Sequence, residues 1–370
     1  MNIETNTLTR MADREDCPFR VSVIIPNYNF EAYLGAAIES ALALDWPDVE
    51  VIVVDDGSTD GSRAIIERYA GRITAVLQAN AKQRAACNRG FPISTGEMII
   101  FLDSDDLLDP SLIREVAKVW RPGISKVQFQ MQTIDAQGRR MGGILPQYHG
   151  TPTPQQIREH VERVGSYRSP PGSGNVYARD YLAKIFPLDN ACGEAADTCC
   201  IAVAPLFGDV VTIPKPLVSY RIHDANDGAM SELDPARIGV NLDRGLKTFA
   251  YTRRTAKACG KTLDDKAFDR NLYILPYRMA SLRLAPASHP IPGDSIFAIL
   301  RDAARGMLIP QGLTMTAQVA ILFWLCLVGL LPDFVAKNLV TWRFIPSRRP
   351  KILRESLGRL GIAGYAPVKH

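Results

Sequence analysis

Ile99-Ile100-Phe101-Leu102-Asp103-Ser104-Asp105-Asp106 decides how this 370-residue chain is read. Four apolar residues in succession, with no polar alternation, are the pattern of a strand buried on both faces of a parallel sheet. The run stops abruptly at three carboxylates. Open α/β sheets bind their ligands beyond the carboxyl ends of such strands. In an extended segment Asp103 and Asp105 point to the same side, so two carboxylates can face one hard cation. The competing use is capping of the helix that Pro110 opens, by Asp106 or Asp109. That use accounts for one acid and not for three.

Working outward, residues 20–25 read as a first strand, stopped by Pro26-Asn27-Tyr28-Asn29. A helix follows over 30–44, with Leu34, Ile38, Ala41 and Leu42 on one face. Residues 49–54 form a second buried strand that also ends in acids, Asp55-Asp56-Gly57-Ser58-Thr59-Asp60-Gly61. Ser58 or Asp60 can cap the next helix, over 62–70. A strand over 73–77 and a short helix over 85–90 lead back to the central strand. Such alternation predicts an α/β fold, a doubly wound and mostly parallel sheet with right-handed crossovers. No Gly-x-Gly-x-x-Gly follows the first strand and no Gly-x-x-x-x-Gly-Lys-Ser/Thr occurs, which excludes dinucleotide dehydrogenases and P-loop enzymes.

Composition sets the outer bounds. With 46% hydrophobic and 22% charged residues the chain is globular, long enough for two or three domains. Residues 1–19 lack the apolar run of a secretion signal and read as a disordered leader. The seven cysteines are scattered and odd in number, the pattern of reduced thiols in a cytoplasmic protein. Charge is divided unevenly. Residues 1–235 carry 22 basic against 31 acidic side chains, a balance of −9, and residues 236–370 carry 21 against 8, a balance of +13. The basic part suits an anionic partner, either a membrane surface or a phosphorylated acceptor. Nucleic acid is not expected.

Three motifs in order, Val23-Ile24-Ile25-Pro26-Asn27-Tyr28-Asn29, Val53-Val54-Asp55-Asp56-Gly57-Ser58-Thr59-Asp60-Gly61 and Phe101-Leu102-Asp103-Ser104-Asp105-Asp106, resemble those of the family 2 glycosyltransferases with the GT-A fold. The resemblance covers residues 20 to about 120. It implies a nucleotide-sugar donor, usually UDP-linked, with Pro26 and Tyr28 against the base, Asn29 beside them and Asp56 on base or ribose. It further implies that Asp103 and Ser104 lie near ribose and phosphates and that Asp105 binds a divalent cation, Mn²⁺ or Mg²⁺. Gln83, Asn88 and Gly90 match the family, whereas Ala81-Lys82 departs from its Asn-Gly-Gly form. Lys82 then either meets the diphosphate as a point charge or is simply solvated.

Beyond residue 120 a strand over 126–133 leads to a polar hairpin around Gln137, and the Pro- and Gly-rich stretch 142–174 reads as acceptor-side loops. Ser173-Gly174-Asn175 resembles the acceptor-facing segment of one branch of the family; the alternative is a plain turn. Asp197, in Ala195-Ala196-Asp197-Thr198, falls on the family's catalytic acid, with Ala196 where a Glu is usual. By resemblance it is the general base, with Glu194 as fallback, and otherwise it caps a helix over 199–207. Tyr220-Arg221-Ile222-His223 resembles the family's closing signature, which gives His223 a metal or diphosphate role.

From about residue 232 the chain reads as helical and basic. No charge occurs between Arg305 and Asp333, and residues 319–331 are dense in apolar side chains, among them Trp324, Leu322, Leu325 and Leu327. A spanning helix needs about 20 apolar residues, so this run is a span, an in-plane helix or a core helix. Basic residues after it, Arg343, Arg348, Arg349, Lys351, Arg354 and Arg359, favour peripheral contact with anionic lipid on the inner face of a membrane. The divisions expected are 20–120 for the nucleotide-sugar half, 121–231 for the acceptor and catalytic half, and 232–370 for the helical extension. The activity implied is inverting, metal-dependent transfer of a sugar to a carbohydrate, lipid-linked or other hydroxyl acceptor in glycoconjugate synthesis. A nucleotide-sugar-binding scaffold without catalysis is the alternative, supported by Ala196 and Ala81-Lys82. A sugar-phosphate nucleotidyltransferase would need a Gly-rich basic loop where Pro26-Asn27-Tyr28-Asn29 stands.

Overall fold

The computed structural model describes residues 19–148, 150–193, 195–223 and 232–353. Strand β1 (Val21–Asn27), helix α1 (Glu31–Leu42), β2 (Val49–Asp55), α2 (Ser62–Arg68), β3 (Thr74–Leu77), α3 (Lys82–Ile93) and β4 (Met98–Phe101) alternate as expected. Strands β3-β2-β1-β4 lie side by side and are parallel throughout. Because successive strand side chains face opposite ways, the sheet builds two cores. Val23, Ile25, Ile100 and Leu102 pack beneath Leu34 and Ile38 of α1. Ile24, Ile52, Ile99 and Phe101 pack on the other face with Ala86 and Phe91 of α3.

After β4 come β5 (Leu107–Leu108), α4 (Leu112–Ala117), β6 (Ile124–Ile134), β7 (Arg140–Leu145), α5 (Pro154–Val164), β8 (Asn175–Ala178), α6 (Arg179–Leu182), α7 (Ala196–Phe207) and β9 (Asp209–Arg221). The sheet continues β4-β8-β6-β9-β5, with β7 beside β6. Here it is mixed: β8 is antiparallel to β4 and β6, and only β6–β9 is parallel. The expectation of a mostly parallel sheet therefore holds for the first half alone. Antiparallel neighbours need no helical crossover.

Three expectations are corrected here. The stretch read as loops contains α5, a well-capped helix in which Thr153 and Gln156 form a reciprocal capping box, Pro154 opens the first turn and Gly165 closes it at φ 73°. Phe19, assigned to a disordered leader, stacks its ring on Trp46 at 4.9 Å, and the Trp46 indole donates to its carbonyl; residues 1–18 lie outside the described residues. Cys199 is disulfide-bonded, against the expectation of reduced thiols throughout, while Cys87, Cys200, Cys259 and Cys326 are free.

The C-terminal third is helical, as read: α8 (Pro235–Ala258), α9 (Leu275–Leu284), α10 (Ile296–Gly306), α11 (Met315–Leu330) and α12 (Asp333–Phe344). It has a core of its own, in which Ile321, Leu325 and Val328 of α11 meet Leu275, Met279, Ile299 and Val340. Arg278 is locked inside by Asp294 and Asp302 at 2.5 and 2.9 Å. Among the described residues no helix is long and apolar enough to cross a membrane.

Candidate active site

Three loops meet at the carboxyl ends of β1, β2 and β4. Asn27 in β1 donates to Asp55 and Ser58, and Asn29, at φ 59°, accepts from the Thr59 backbone at 2.7 Å. The first motif is thereby stitched to the second. Asp56 is buried and accepts from Gln78 at 2.6 Å and from the Ala81 amide at 2.9 Å. Gly57, at φ 80°, lets this closure happen, since a Cβ there would stand 2.8 Å from the Asn80 nitrogen. The Ser104 hydroxyl donates to the Pro26 carbonyl at 2.9 Å, joining the third motif to the first. Tyr28 is 43% exposed beside this junction, as a ring available to stack on a base would be.

The acidic turn after β4 lies inside the protein. Asp103 accepts from Gln83 at 2.9 Å, and Asp105 meets the His223 Nε2 at 2.9 Å. Asp106 accepts from the Arg221 amide, while its second oxygen is buried without a hydrogen-bond partner among the described residues. Burial pushes the carboxyls of Asp103 and Asp106 well above the usual range, and neighbouring carboxylates push further. His223 is stacked on Tyr33 at 5.0 Å. Arg221 crosses over the same ring at 4.7 Å and donates to the Asp105 and Asp135 carbonyls.

Asp197 joins this cluster through the segment Gly172-Ser173. The Gly172 amide donates to Asp197 at 3.2 Å, and Ser173 accepts from the Asp103 amide at 3.0 Å. A Cβ on Gly172 would come within 3.0 Å of an Asp103 oxygen, so glycine allows the approach. Asp197 sits in the first turn of α7, whose N-cap is Ala195, so it is not the cap itself. Burial raises its pKa above the ordinary carboxylate value, against hydrogen bonds from Thr198 and Gly172. Glu194 lies outside the described residues.

Other predicted residues are committed elsewhere. Asn88 exchanges two hydrogen bonds with the Leu188 backbone, at 2.9 and 2.8 Å. Lys82 is exposed at φ 72°. Ser173 and Asn175 are fully buried, and Asn175 donates to the Pro170, Pro171 and Gly172 carbonyls. The Asn175 side-chain oxygen, Oδ1, in turn accepts from Lys126 at 2.7 Å. Lys126 is wholly buried, also donates to Gln128 and Ser169, and lies 5.0 Å over the Tyr167 ring. Burial holds its amine well below the usual lysine value. Gly172, Tyr33 and Lys126 were given no role from sequence, and Arg221 was quoted only as part of the closing signature. Lys126, the lone charge in a strand whose other polar side chains are uncharged, is the one that carried a signal.

A hard cation fits this donor set. Buried carboxylates crowd one turn, one oxygen is orphaned, and the Arg221 guanidinium is spent on backbone carbonyls. Among the described residues no group of three or more His, Cys, Asp or Glu side chains is arranged to hold a metal by itself. Divalent cations in phosphate sites commonly take one or two protein ligands and complete the shell with substrate oxygens and water.

The fold, with this acid-lined end of its sheet, is of the glycosyltransferase GT-A type. Residues 22–185 match the family model "Glycosyl transferase family 2", so this segment of the chain is a domain of that family. An uncharacterized glycosyltransferase of Nostoc sp. is 35% identical over 215 residues, 56% of this chain and 66% of the relative. An uncharacterized glycosyltransferase of Escherichia coli, YibD, is 38% identical over 96 residues, 25% of this chain and 28% of the relative. The chain thus spans a little under two thirds of the Nostoc protein. Among solved structures, TarS 1–349 of S. aureus in complex with UDP-GlcNAc superposes with a TM-score of 0.51, at 18% identity, over 88% of this chain and 91% of that one. That likeness is one of fold.

Proposed function

We propose that the chain is an inverting glycosyltransferase that moves a sugar from a nucleotide diphosphate donor to an acceptor hydroxyl. The observation that carries this is the linkage of Asp197 to Asp103 through Gly172 and Ser173, which gathers a base and the diphosphate-side acids into one cluster. Tyr28 and Asp56 hold the nucleoside, and Pro26 fixes the loop between them through Ser104. Asp197 takes the acceptor proton as the new bond forms; its raised pKa makes it a better base than an ordinary carboxylate. Attack from the side opposite the departing diphosphate inverts the anomeric centre. Asp105 and His223 would hold a divalent cation, Mn²⁺ or Mg²⁺, which offsets charge on the leaving diphosphate. Ser173, Gly174 and Asn175 are buried and act from behind the acceptor side, holding Gly172 against Asp197 and Asp103. Asn88 supports α3 rather than the donor.

A UDP-linked donor is the first to test, as in the TarS complex with UDP-GlcNAc. The test is a panel of nucleotide sugars assayed for thermal stabilisation with and without Mn²⁺, followed by donor hydrolysis. A donor at 100 times its Kd adds about 2.7 kcal/mol. Failure of every nucleotide sugar to stabilise the protein overturns the reading. Stabilisation with no turnover on any acceptor supports the scaffold instead.

We further propose a cytoplasmic enzyme seated on the inner face of a membrane. Exposed apolar side chains support it: Met315, Val319, Phe323 and Leu330 lie along one face of α11, at 66%, 50%, 63% and 72% exposure. Leu308 and Phe334 flank that helix, equally bare. Of the apolar residues named from the sequence, Leu325 is buried and the Trp324 indole donates to the Leu339 carbonyl.

A further inference from the structure

The turn from Ser169 to Asn175 is fastened at its base to a single nitrogen. The Lys126 amine, in β6, donates to Ser169 Oγ at 2.8 Å and to Asn175 Oδ1 at 2.7 Å, the two ends of that turn. Its third bond goes to Gln128 Oε1 at 3.0 Å. Register explains the reach. Across β6 and β8, Gln128 pairs with Asn175 and Lys126 with Tyr177, so the amine crosses diagonally to Asn175. Inside the turn Asn175 Nδ2 donates to the Pro171 and Gly172 carbonyls at 3.0 and 3.1 Å, and the Gly174 amide to the Pro171 carbonyl at 2.9 Å. Pro170 and Pro171 fix two φ angles, and a Cβ on Gly174 would stand 2.5 Å from Pro170. A turn so filled has little room to bend, so the placement of its base is carried to its tip.

The tip is where the transfer site begins. There the Gly172 amide donates to Asp197 at 3.2 Å, and the Ser173 hydroxyl accepts from the Asp103 amide at 3.0 Å. We propose that Lys126 is a positioning residue of this site, which seats the Gly172 amide on Asp197 through Ser169 and Asn175. An amine withdrawn from water has to find its partners inside the protein, and here they are the two ends of one turn. Lys126 is wholly buried, whereas Asp197 is half-buried and keeps a reachable face. The role of Asp197 rests on the transferase reading, but its surroundings can be measured without turnover. The bond from Gly172 favours the ionised carboxylate, and burial opposes it. The titratable groups acting on this carboxylate are Asp103 after β4, Cys87 of α3, Cys200 of α7, Tyr177 of β8 and Lys126. Burial keeps both thiols and the phenol protonated and uncharged. Loosening the turn therefore raises the pH at which Asp197 ionises.

The experiment is carbon-13 NMR of the full-length protein labelled at aspartate Cγ and titrated with pH, the Asp197 signal being assigned by its loss in Asp197→Asn. Wild type is compared with Lys126→Met, Asn175→Leu and Ser169→Ala. The last keeps lysine and asparagine in place and decides the matter where a larger change prevents folding. In all three the Asp197 carboxyl should titrate at higher pH than in wild type. No movement in any folded variant overturns the proposal. Movement in Lys126→Met alone overturns it as well, because the amine then acts by its field and not through the turn. Hydrolysis of UDP-GlcNAc with Mn²⁺ by the same proteins should show kcat reduced about tenfold or more, with donor KM unchanged. Equal losses in kcat and donor affinity are the mark of a merely structural lysine and count against the proposal. Absence of hydrolysis by wild type counts against the transferase reading and leaves the NMR titration to decide on Lys126.

Discussion

At the scale of single residues, charge decides. Asp105→Asn keeps the shape of the turn and removes half of the Asp105–His223 pair. Transfer should fall about 10²-fold or more with little change in melting temperature, and wild type should lose the same activity in excess chelator. Full activity in either condition removes the cation from the reading. Asp197→Asn should lower kcat by roughly 10²–10⁴ and leave donor affinity alone; equal losses in both would mean a purely structural carboxylate. Because the Asp197 pKa is raised, its unprotonated, active form appears only as pH climbs above the ordinary carboxylate range. The acidic limb of the wild-type kcat profile should therefore lie above the ordinary aspartate value and vanish in the variant. Lys126 supplies a stability prediction. Its folded pKa is depressed, so the unfolded chain binds more protons between that value and the ordinary lysine value. Its contribution is then complete above the unfolded pKa and is lost as pH falls through the folded one. Lys126→Met strands Asn175 and Ser169 without their donor and should cost about 1–3 kcal/mol. The gap from wild type should widen between pH 7 and 10 in chemical denaturation; a gap that narrows would contradict the assigned direction.

At the scale of elements, α5 and α11 carry the lesson. The α5 signal was present as Thr153-Pro154-Gln155-Gln156 and Gly165, but the surrounding density of Pro and Gly concealed it. Ile157, Val161 and Val164 then bury the face that the short pattern left ambiguous. The apolar run at α11 looked uniform, and packing divided it. One side supplies Ile321, Leu325 and Val328 to a core, and the other shows Met315, Val319 and Phe323 to the outside. Cutting the chain after about Ala304 would uncover that core, so point changes are the cleaner probe. Phe323→Ser should leave stability within about 0.5 kcal/mol and weaken binding to anionic vesicles about tenfold or more. Unchanged vesicle binding would place the membrane contact elsewhere.

At the scale of the whole molecule, charge is spread more subtly than the +13 balance suggests. Arg349 is buried against the Trp342 carbonyl, and Arg343 lies against the Trp324 ring with its pKa pushed down to about 10 by burial. Arg348 and Lys351 remain exposed, while Arg354 and Arg359 lie outside the described residues. Vesicle binding should thus combine a modest electrostatic part with an apolar one. Raising ionic strength to about 1 M, where screening acts within about 3 Å, should weaken it without abolishing it. Complete loss would make the contact purely electrostatic; no binding at low salt would remove it altogether. The sequence by itself determined the parallel half of the sheet, the acidic turn after β4 and the three motifs at the strand ends, because strand burial and turn chemistry are written in neighbouring residues. Only the tertiary structure decided that Gly172 and Ser173 would tie Asp197 to Asp103, that Lys126 would stand behind Asn175, and which face of α11 would stay bare. Those contacts join residues 25 to 70 positions apart or depend on what packs against a helix, and no local pattern encodes either.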